Sequence, residues 1–422
     1  MINYNRLSYE LKRNITRYSE KISNGLTRPQ FKFITQMLYG LLEGKKAHLS
    51  EIARSLKEDI TLKKTIERLS RNLNSFNSGD CIMDNYMKLA KSCIKENAVL
   101  IIDNSDIAKP CSNKLEALSE IRDGSTGEIV SGYQTIDAAV LSQNHKMPLP
   151  VYTKIFSAKE MGFISETYEN LECLKYLSKH FSQKCIRTLD RGFDANDYFQ
   201  YFLKQKERFI IRLKMNRNII YKGTTINVLD LVSKYKGRYK IYFKGKDKKT
   251  IQCKMSCIPV KACFAPDKDL TLIAVYGFGK IPMMLITNIN NPDEKQLANI
   301  ITKVYLIRWR IEEYFKFKKQ QFDFEDIRVW SLKSIRNFNL LATILTGYIG
   351  MISEEQKDNI FLAEILQCSK RIYGIPKFIF YAMGYAMANI LSKTKVGIQT
   401  FIKKKDKSQQ IDLFKYFGLD VS

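Results

Sequence analysis

Apolar residues recur at helical spacing towards both ends of the chain and gather into short, dense runs in its middle. From residue 1 to about 95 the pattern predicts helices. Between His48 and Leu73 lie two short amphipathic runs, marked by Ile52 and Leu56 and then by Ile66, Leu69 and Leu73. Ser50 and Thr61 stand where N-caps belong. The second run carries Lys63, Lys64, Arg68 and Arg71, so the pair reads either as a helix-turn-helix that meets DNA or as a plain helical hairpin.

The pattern changes near Asn97. Ala-Val-Leu-Ile-Ile-Asp predicts a buried strand that ends in Asp103, and Asp-Gly-Ser-Thr-Gly-Glu predicts a turn. Two further strands follow around a turn at Gln143–Lys146. A helix is expected from Ser165 to Phe181, with Leu171, Leu174 and Leu177 along it. Cys-Ile-Arg-Thr-Leu-Asp is another short strand, ending in Asp190. A helix from Asp194 to Lys206 and the strand Arg-Phe-Ile-Ile-Arg-Leu-Lys come next. Three consecutive strands and then alternating helix and strand indicate a mixed α/β sheet. Residues 216–294 lose helical periodicity and read as a β-rich insertion, with Gly277 and Gly279 in a hairpin turn. Within it Arg238, Lys240, Tyr242 and Lys244 alternate onto one strand face, which suits either a phosphate backbone or a lysine-guarded edge strand. From Asp326 onward the chain is helical again. The Lys-Lys-Lys-Asp-Lys run near Lys403 is a solvated charge cluster.

Composition narrows the partners. The chain has 422 residues, 45% of them hydrophobic and 12% aromatic, enough for several folding units with a real core. Its net charge of +26 is spread along the whole length and favours a polyanion, nucleic acid before an anionic membrane surface. Lys and Arg interrupt every apolar run, so no transmembrane span is expected, and the N-terminus lacks a signal-peptide core. Nine scattered cysteines suggest reduced thiols in a cytosol; even the nearest grouping, Cys253, Cys257 and Cys263, has no histidine close to it in sequence, which argues against a zinc site.

The candidate chemistry lies in three acids. Asp103 and Asp190 end predicted strands, where carboxylates reach the active edge of an α/β sheet. Glu312 lies in Val-Tyr-Leu-Ile-Arg-Trp-Arg-Ile-Glu-Glu-Tyr-Phe-Lys-Phe-Lys-Lys. On one helix, Tyr305, Arg308, Glu312 and Lys319 would share a stripe roughly 60° wide at about 100° per residue. Ile307, Ile311 and Phe315 would form an adjacent apolar edge. Such a stripe can hold a metal ion between phosphates, and three carboxylates can hold two Mg²⁺ ions for phosphodiester chemistry. Asp106, Asp194 and Asp197 are lower-ranked rivals.

With these motifs the sequence resembles the DDE transposases of bacterial insertion sequences, most nearly the insertion-sequence-four family that includes the transposon-five enzyme. Tyr305, Arg308, Glu312 and Lys319 fit that family's Tyr-Arg-Glu-Lys spacing without a gap. Asp103-Asn104-Ser105 and Asp190-Arg191-Gly192-Phe193-Asp194 look like its first and second aspartate motifs. The resemblance covers residues 95–330 well. It implies a ribonuclease-H-like catalytic core with a β-rich insertion, flanked by helical N-terminal and C-terminal regions. Its parts would be a DNA-binding region at 1–95, the core at 96–215, the insertion at 216–294, the catalytic helix at 295–325 and a helical region for dimerisation or DNA contact at 326–422. It implies that Asp103, Asp190 and Glu312 bind two Mg²⁺ ions, with Mn²⁺ able to substitute. Tyr305, Arg308 and Lys319 would grip phosphates of the transposon end; Arg191 would add another contact or form a salt bridge. The implied partners are double-stranded DNA, as transposon ends and target, and a second copy in a synaptic complex, without a membrane. The implied setting is the bacterial cytosol, on the nucleoid. There is one departure: transposon-five-like enzymes have an insertion tryptophan that receives a flipped base. Here no tryptophan lies between Asp190 and Arg308, so a tyrosine or phenylalanine would have to stack instead. A metal-dependent nuclease of the same fold and a non-catalytic DNA-binding derivative are the alternatives.

Overall fold

A computed structural model describes residues 2–94, 98–112, 114–141, 148–244, 250–355, 359–369 and 379–402. Five helices open the chain: α1 (Tyr4–Ile22), α2 (Arg28–Gly44), α3 (Leu49–Leu56), α4 (Leu62–Ser75) and α5 (Gly79–Ser92). Four strands follow, β1 (Val99–Ala108), β2 (Ser119–Arg122), β3 (Ile129–Leu141) and β4 (Leu149–Phe156). Then helix and strand alternate: α6 (Glu166–His180), β5 (Ile186–Leu189), α7 (Asn196–Gln205) and β6 (Arg208–Arg212). The turn expected at Gln143–Lys146 lies outside the described residues, as does the lysine run near Lys403.

β1 pairs antiparallel with β3, which also pairs antiparallel with β2 and β4. β5 lies parallel to β1 and β6 parallel to β5, because α6 and α7 carry the chain back across the sheet. The order β4–β3–β1–β5–β6 with these directions is the ribonuclease-H-like arrangement. Leu174 and Leu177 of α6 and Phe199 and Phe202 of α7 pack on one face with Leu100, Ile102 and Leu189.

The insertion comprises β7 (Asn218–Tyr221), β8 (Thr224–Asn227), α8 (Val228–Ser233), β9 (Tyr239–Lys244), β10 (Thr250–Ala262), β11 (Ala265–Tyr276) and β12 (Met283–Thr287). It is not a detached unit. β12 returns to pair with β6, with Leu285 opposite Arg212, so the insertion strands prolong the core sheet. The hairpin between β11 and β12 turns at Gly277, whose φ of +104° is open to glycine.

α9 (Glu294–Ile307) and α10 (Arg310–Phe322) cover the other face. They are two helices, not the single one that the stripe required. Nothing at Ile307-Arg308-Trp309-Arg310 is a helix breaker; Arg308 and Trp309 keep right-handed helical dihedrals, and the amides of Arg308, Ile311 and Glu312 bond three residues back. Leu297, Ala298, Ile301 and Tyr305 are buried over β5, β6 and the insertion strands. Ile311 and Tyr314 are buried over Val99, Ile101, Ala139 and Leu141 of β1 and β3. Two patches of a twisted sheet need two axes. Ile307, at the bend, is 39% exposed and does not dock.

α11 (Leu332–Glu355), α12 (Ile360–Gln367), α13 (Ile379–Ser392) and α14 (Gln399–Ile402) complete the described chain. α11 and α13 pack against α1 and α2, so both ends of the chain share one helical body. Among the described residues no helix is long and apolar enough to cross a membrane. In the α3–α4 pair the cap of α3 is His48; Ser50 falls inside the helix. Thr61 is the N-cap of α4, as expected, without a side-chain hydrogen bond. Glu58, in the turn, accepts from Thr65 Oγ1 at 3.0 Å and Arg68 at 2.6 Å, leaving Lys63, Lys64 and Arg71 exposed.

Candidate active site

The ladder between β1, β5 and β6 ends at the row Ile102–Leu189–Ile211. One position further on each strand stand Asp103, Asp190 and Arg212. Neighbouring strands lie about 4.8 Å apart, so the two aspartates meet where the parallel strands part. Asp103 does not end its strand, as the apolar run suggested; β1 continues to Ala108 in its ladder with β3. Only the β5 side of the ladder has ended there.

Glu312 arrives from the first turn of α10, where a carboxylate suits the helix dipole. Arg308, at the bend, joins the acids. Its NH1 donates to Asp103 Oδ2 at 2.6 Å and its NH2 lies 3.6 Å from Glu312 Oε1. The Arg308 side chain is 9% exposed, that of Asp103 16% and that of Glu312 61%. Burial pushes the Asp103 carboxyl up to about 7; Asp190 and Glu312 add to the rise and Arg308 opposes it. Burial works against the Arg308 charge, but Asp103, Tyr305, Asp190 and Glu312 hold its pKa above the usual arginine value. Asp190 and Glu312 thus both act on Asp103, and Arg308 lies among them.

Asp190 caps the short 3₁₀ turn Arg191–Phe193, accepting from Gly192 N at 2.7 Å. Arg191 on that turn is exposed. Asp194, a rival by sequence, is consumed by structure: it accepts from Lys214 N at 2.7 Å and Arg217 Nε at 2.8 Å, tying the start of the insertion to this loop. Asp197 begins α7 and is exposed. Asp106 accepts from Gly124 N at 3.2 Å and faces Lys319 at 3.8 Å.

The remaining stripe residues depart from the expectation of a common, open cationic face. Tyr305 is 1% exposed, with Arg308 5.9 Å from its ring centroid. Burial raises its hydroxyl pKa, and Arg308 and Arg212 beside it oppose the rise. Arg308 is ion-paired rather than free. Lys319 is 30% exposed and pairs with Glu325 at 2.7 Å. The reason is that the stripe faces acids: Asp103 takes Arg308, while Asp106 and Glu325 take Lys319.

Sequence reading missed Arg212, Asp137 and Lys318. Arg212 follows from strand register once Asp190 is known. Asp137 carried a weak signal, a lone acid in the apolar strand Thr-Ile-Asp-Ala-Ala-Val.

A metal pair needs hard oxygen donors, which three carboxylates supply. Among the described residues, however, no group of three or more His, Cys, Asp or Glu side chains is close enough to hold an ion. Arg308 occupies Asp103 Oδ2, and Glu312 extends towards solvent. The donor chemistry fits such an ion, but with Arg308 on Asp103 and Glu312 turned outward the three acids are not gathered for one.

Residues 171–346, somewhat under half of the chain, match the family described as the transposase DDE domain. That stretch contains Asp190, Tyr305, Arg308, Glu312 and Lys319, whereas Asp103 precedes it. The match supports a DDE transposase. A chain in the cryo-electron-microscopy structure of a piggyBac transposase synaptic complex with hairpin DNA is similar in shape, at 10% identity and a TM-score of 0.46, covering 98% of this chain and 83% of that one. No curated protein matches the chain.

Proposed function

We infer that the protein is a DNA transposase of the insertion-sequence-four kind, which cuts and joins strands at the ends of its element. What supports this reading is that Asp103 and Asp190 stand side by side one position beyond the parallel ladder, with Glu312 linked to Asp103 through Arg308, in a chain of charge +26. The transposase DDE match over residues 171–346 supports it. Asp103, Asp190 and Glu312 are the proposed holders of two Mg²⁺ ions, for which Mn²⁺ substitutes. When bound, such ions activate the attacking oxygen and stabilise the leaving oxygen of a phosphodiester.

The chain's own residues do the rest. Arg308 holds the Asp103 carboxyl in the unloaded site and, once released, meets a phosphate bidentately. Tyr305 supports Arg308 from below. Lys319 and Arg191 are the proposed outer phosphate contacts, with Arg212 beside Asp190. Two further surfaces suit duplex DNA. The exposed Lys63, Lys64 and Arg71 of α4 lie at a helix-turn-helix. On the insertion ribbon, exposed Lys240 and Tyr242 stand opposite exposed Lys254 and Gln252 in the β9–β10 ladder, flanked by Arg238. Like charges directly opposed destabilise a ladder, and a phosphate backbone between them relieves the cost. Exposed Tyr242 offers a stacking face there. The working assembly is a homodimer pairing two ends, acting on the nucleoid in the bacterial cytosol.

Incubation of the purified protein with its flanking DNA, target DNA and Mg²⁺, followed by sequencing of the products, tests this reading. Joining of 3′ ends to target is expected. Cleavage without joining would make the protein a nuclease, and end binding without cleavage a non-catalytic derivative.

A further inference from the structure

Directly across the β1–β3 ladder from Asp103 stands Asp137, and it is fully buried. Its Oδ1 accepts from the Tyr314 hydroxyl at 2.8 Å and from Lys318 Nζ at 3.1 Å. Lys318 Nζ also donates to Asn339 Oδ1 at 3.0 Å and lies 3.1 Å from the Tyr314 hydroxyl. Asn339 in turn donates to Thr153 Oγ1, on the strand beyond Asp137, at 2.7 Å. The Tyr314 hydroxyl also reaches Thr343 of α11 at 3.3 Å. One carboxylate thus ties together β3, β4, α10 and α11, out of contact with solvent.

A buried ion pair is a poor source of net stability, since desolvation offsets the attraction. Its geometry is another matter. α10 begins after an interruption of the i→i−4 bonding at Arg308 and Trp309, so α9 alone does not hold it over the sheet. Its apolar anchors, Ile311 and Tyr314, press it onto β1 and β3 without fixing direction. Hydrogen bonds from Tyr314 and Lys318 to a single oxygen fix both. Glu312 lies two residues before Tyr314 and six before Lys318, about 3 and 9 Å along the helix axis. The anchor on the sheet is the ladder partner of Asp103 itself. The same pair of sheet positions therefore carries one catalytic carboxylate and the post to which the other's helix is fastened.

We propose that Asp137 and Lys318, with Tyr314, are positioning residues: they set α10 over the sheet so that Glu312 and Arg308 meet Asp103. This rests on the transposase reading for its catalytic meaning, but the placement of α10 is testable without it. The double variant Asp137→Asn/Lys318→Met removes both charges while keeping volume and leaving no unpaired ion. Three readouts apply to it: thermal melting, hydrogen exchange of the α10 amides, and Mn²⁺ binding followed by electron paramagnetic resonance. The expected result is a folded variant whose α10 amides exchange about tenfold faster or more, while those of β3 and α11 keep their protection. Mn²⁺ binding weakens about 10- to 100-fold, the usual size of an outer-partner effect. In DNA cleavage, kcat falls with the KM for end DNA unchanged. Should the double variant not fold, Tyr314→Phe removes one anchoring hydrogen bond alone and produces the same pattern at about two- to tenfold. Unchanged α10 exchange in a folded variant overturns the proposal. Asp103→Asn in the parent keeps the two ideas apart: if Mn²⁺ binding survives that change, the transposase reading fails, whereas the α10 exchange result stands on its own.

Discussion

The parallel strands β5 and β6 carry charge at both ends, and the two ends are built differently. At the N-terminal end Arg187 donates to Glu207 at 2.8 Å, with the side chains 1% and 3% exposed. Arg187 also donates to the carbonyls of Ser182 and Cys185, so one cation, one carboxylate and two carbonyl oxygens gather in the interior, with Arg187 Nε left unpaired. At the C-terminal end Asp103, Asp190 and Glu312 gather around Arg308, and Glu312 is open to water. A sealed, balanced set holds strands together. A partly open set with carboxylates in excess stores repulsion that an added cation relieves, and the proposed metal site rests on that asymmetry.

Removing one acid from the overcharged end should have the largest effect. Asp190→Ala is expected to lower strand cleavage about a thousandfold or more, roughly the loss of a metal's transition-state contribution. End binding, measured by gel shift, and melting temperature should change little, because the phosphate contacts lie elsewhere and a like-charge neighbour of Asp103 has gone. Loss of both together would return the residue to a structural role. The balanced end should respond in the opposite sense. Glu207→Ala leaves Arg187 buried without its partner and should cost about 3–5 kcal/mol in chemical denaturation. Cleavage per folded molecule should be unaltered.

The contrast also predicts a pH signature. The folded pKa of Asp103 is raised to about 7, above its ordinary 3.8. The folded state therefore holds this proton more tightly than the unfolded chain does. Its contribution to stability is present below about pH 4 and is lost as pH rises through about 7. Asp103→Asn should flatten the stability profile across that window. Divalent-ion binding should tighten over the same window, since the ion competes with the proton.

Much of this arrangement was readable from the chain, and the exceptions are instructive. The strands around Asp103 and Asp190 announced themselves as dense apolar runs, and their parallel pairing followed from the helices between them. The bend at Arg308 did not announce itself, because Ile, Arg, Trp and Arg are all acceptable in a helix. It arises from burial of Tyr305 over one part of the sheet and Ile311 over another, which is a property of sheet twist and not of local sequence. Lys319 was expected to be a free cation; Glu325, only six residues on, is its partner. Lys318, about 100° away around the helix, lies off the stripe and points inward to Asp137.

Among the predicted effects, that of Lys319 is the smallest. Lys319→Ala should reduce the salt dependence of end binding by about one unit of slope, if it meets one phosphate. Stability should hardly move, since a partly exposed pair contributes at most about 1 kcal/mol. A lowered melting temperature with an unchanged slope would assign the residue to its pair with Glu325.

The central claim, that the overcharged end is a metal site for DNA chemistry, is tested most directly by anomalous scattering from crystals grown with end DNA and Mn²⁺. The account predicts Mn²⁺ peaks bound by Asp103, Asp190 and Glu312, with Arg308 moved from Asp103 onto a phosphate. Arg308 still paired to Asp103, with no peak beside either aspartate while DNA is bound, would contradict it.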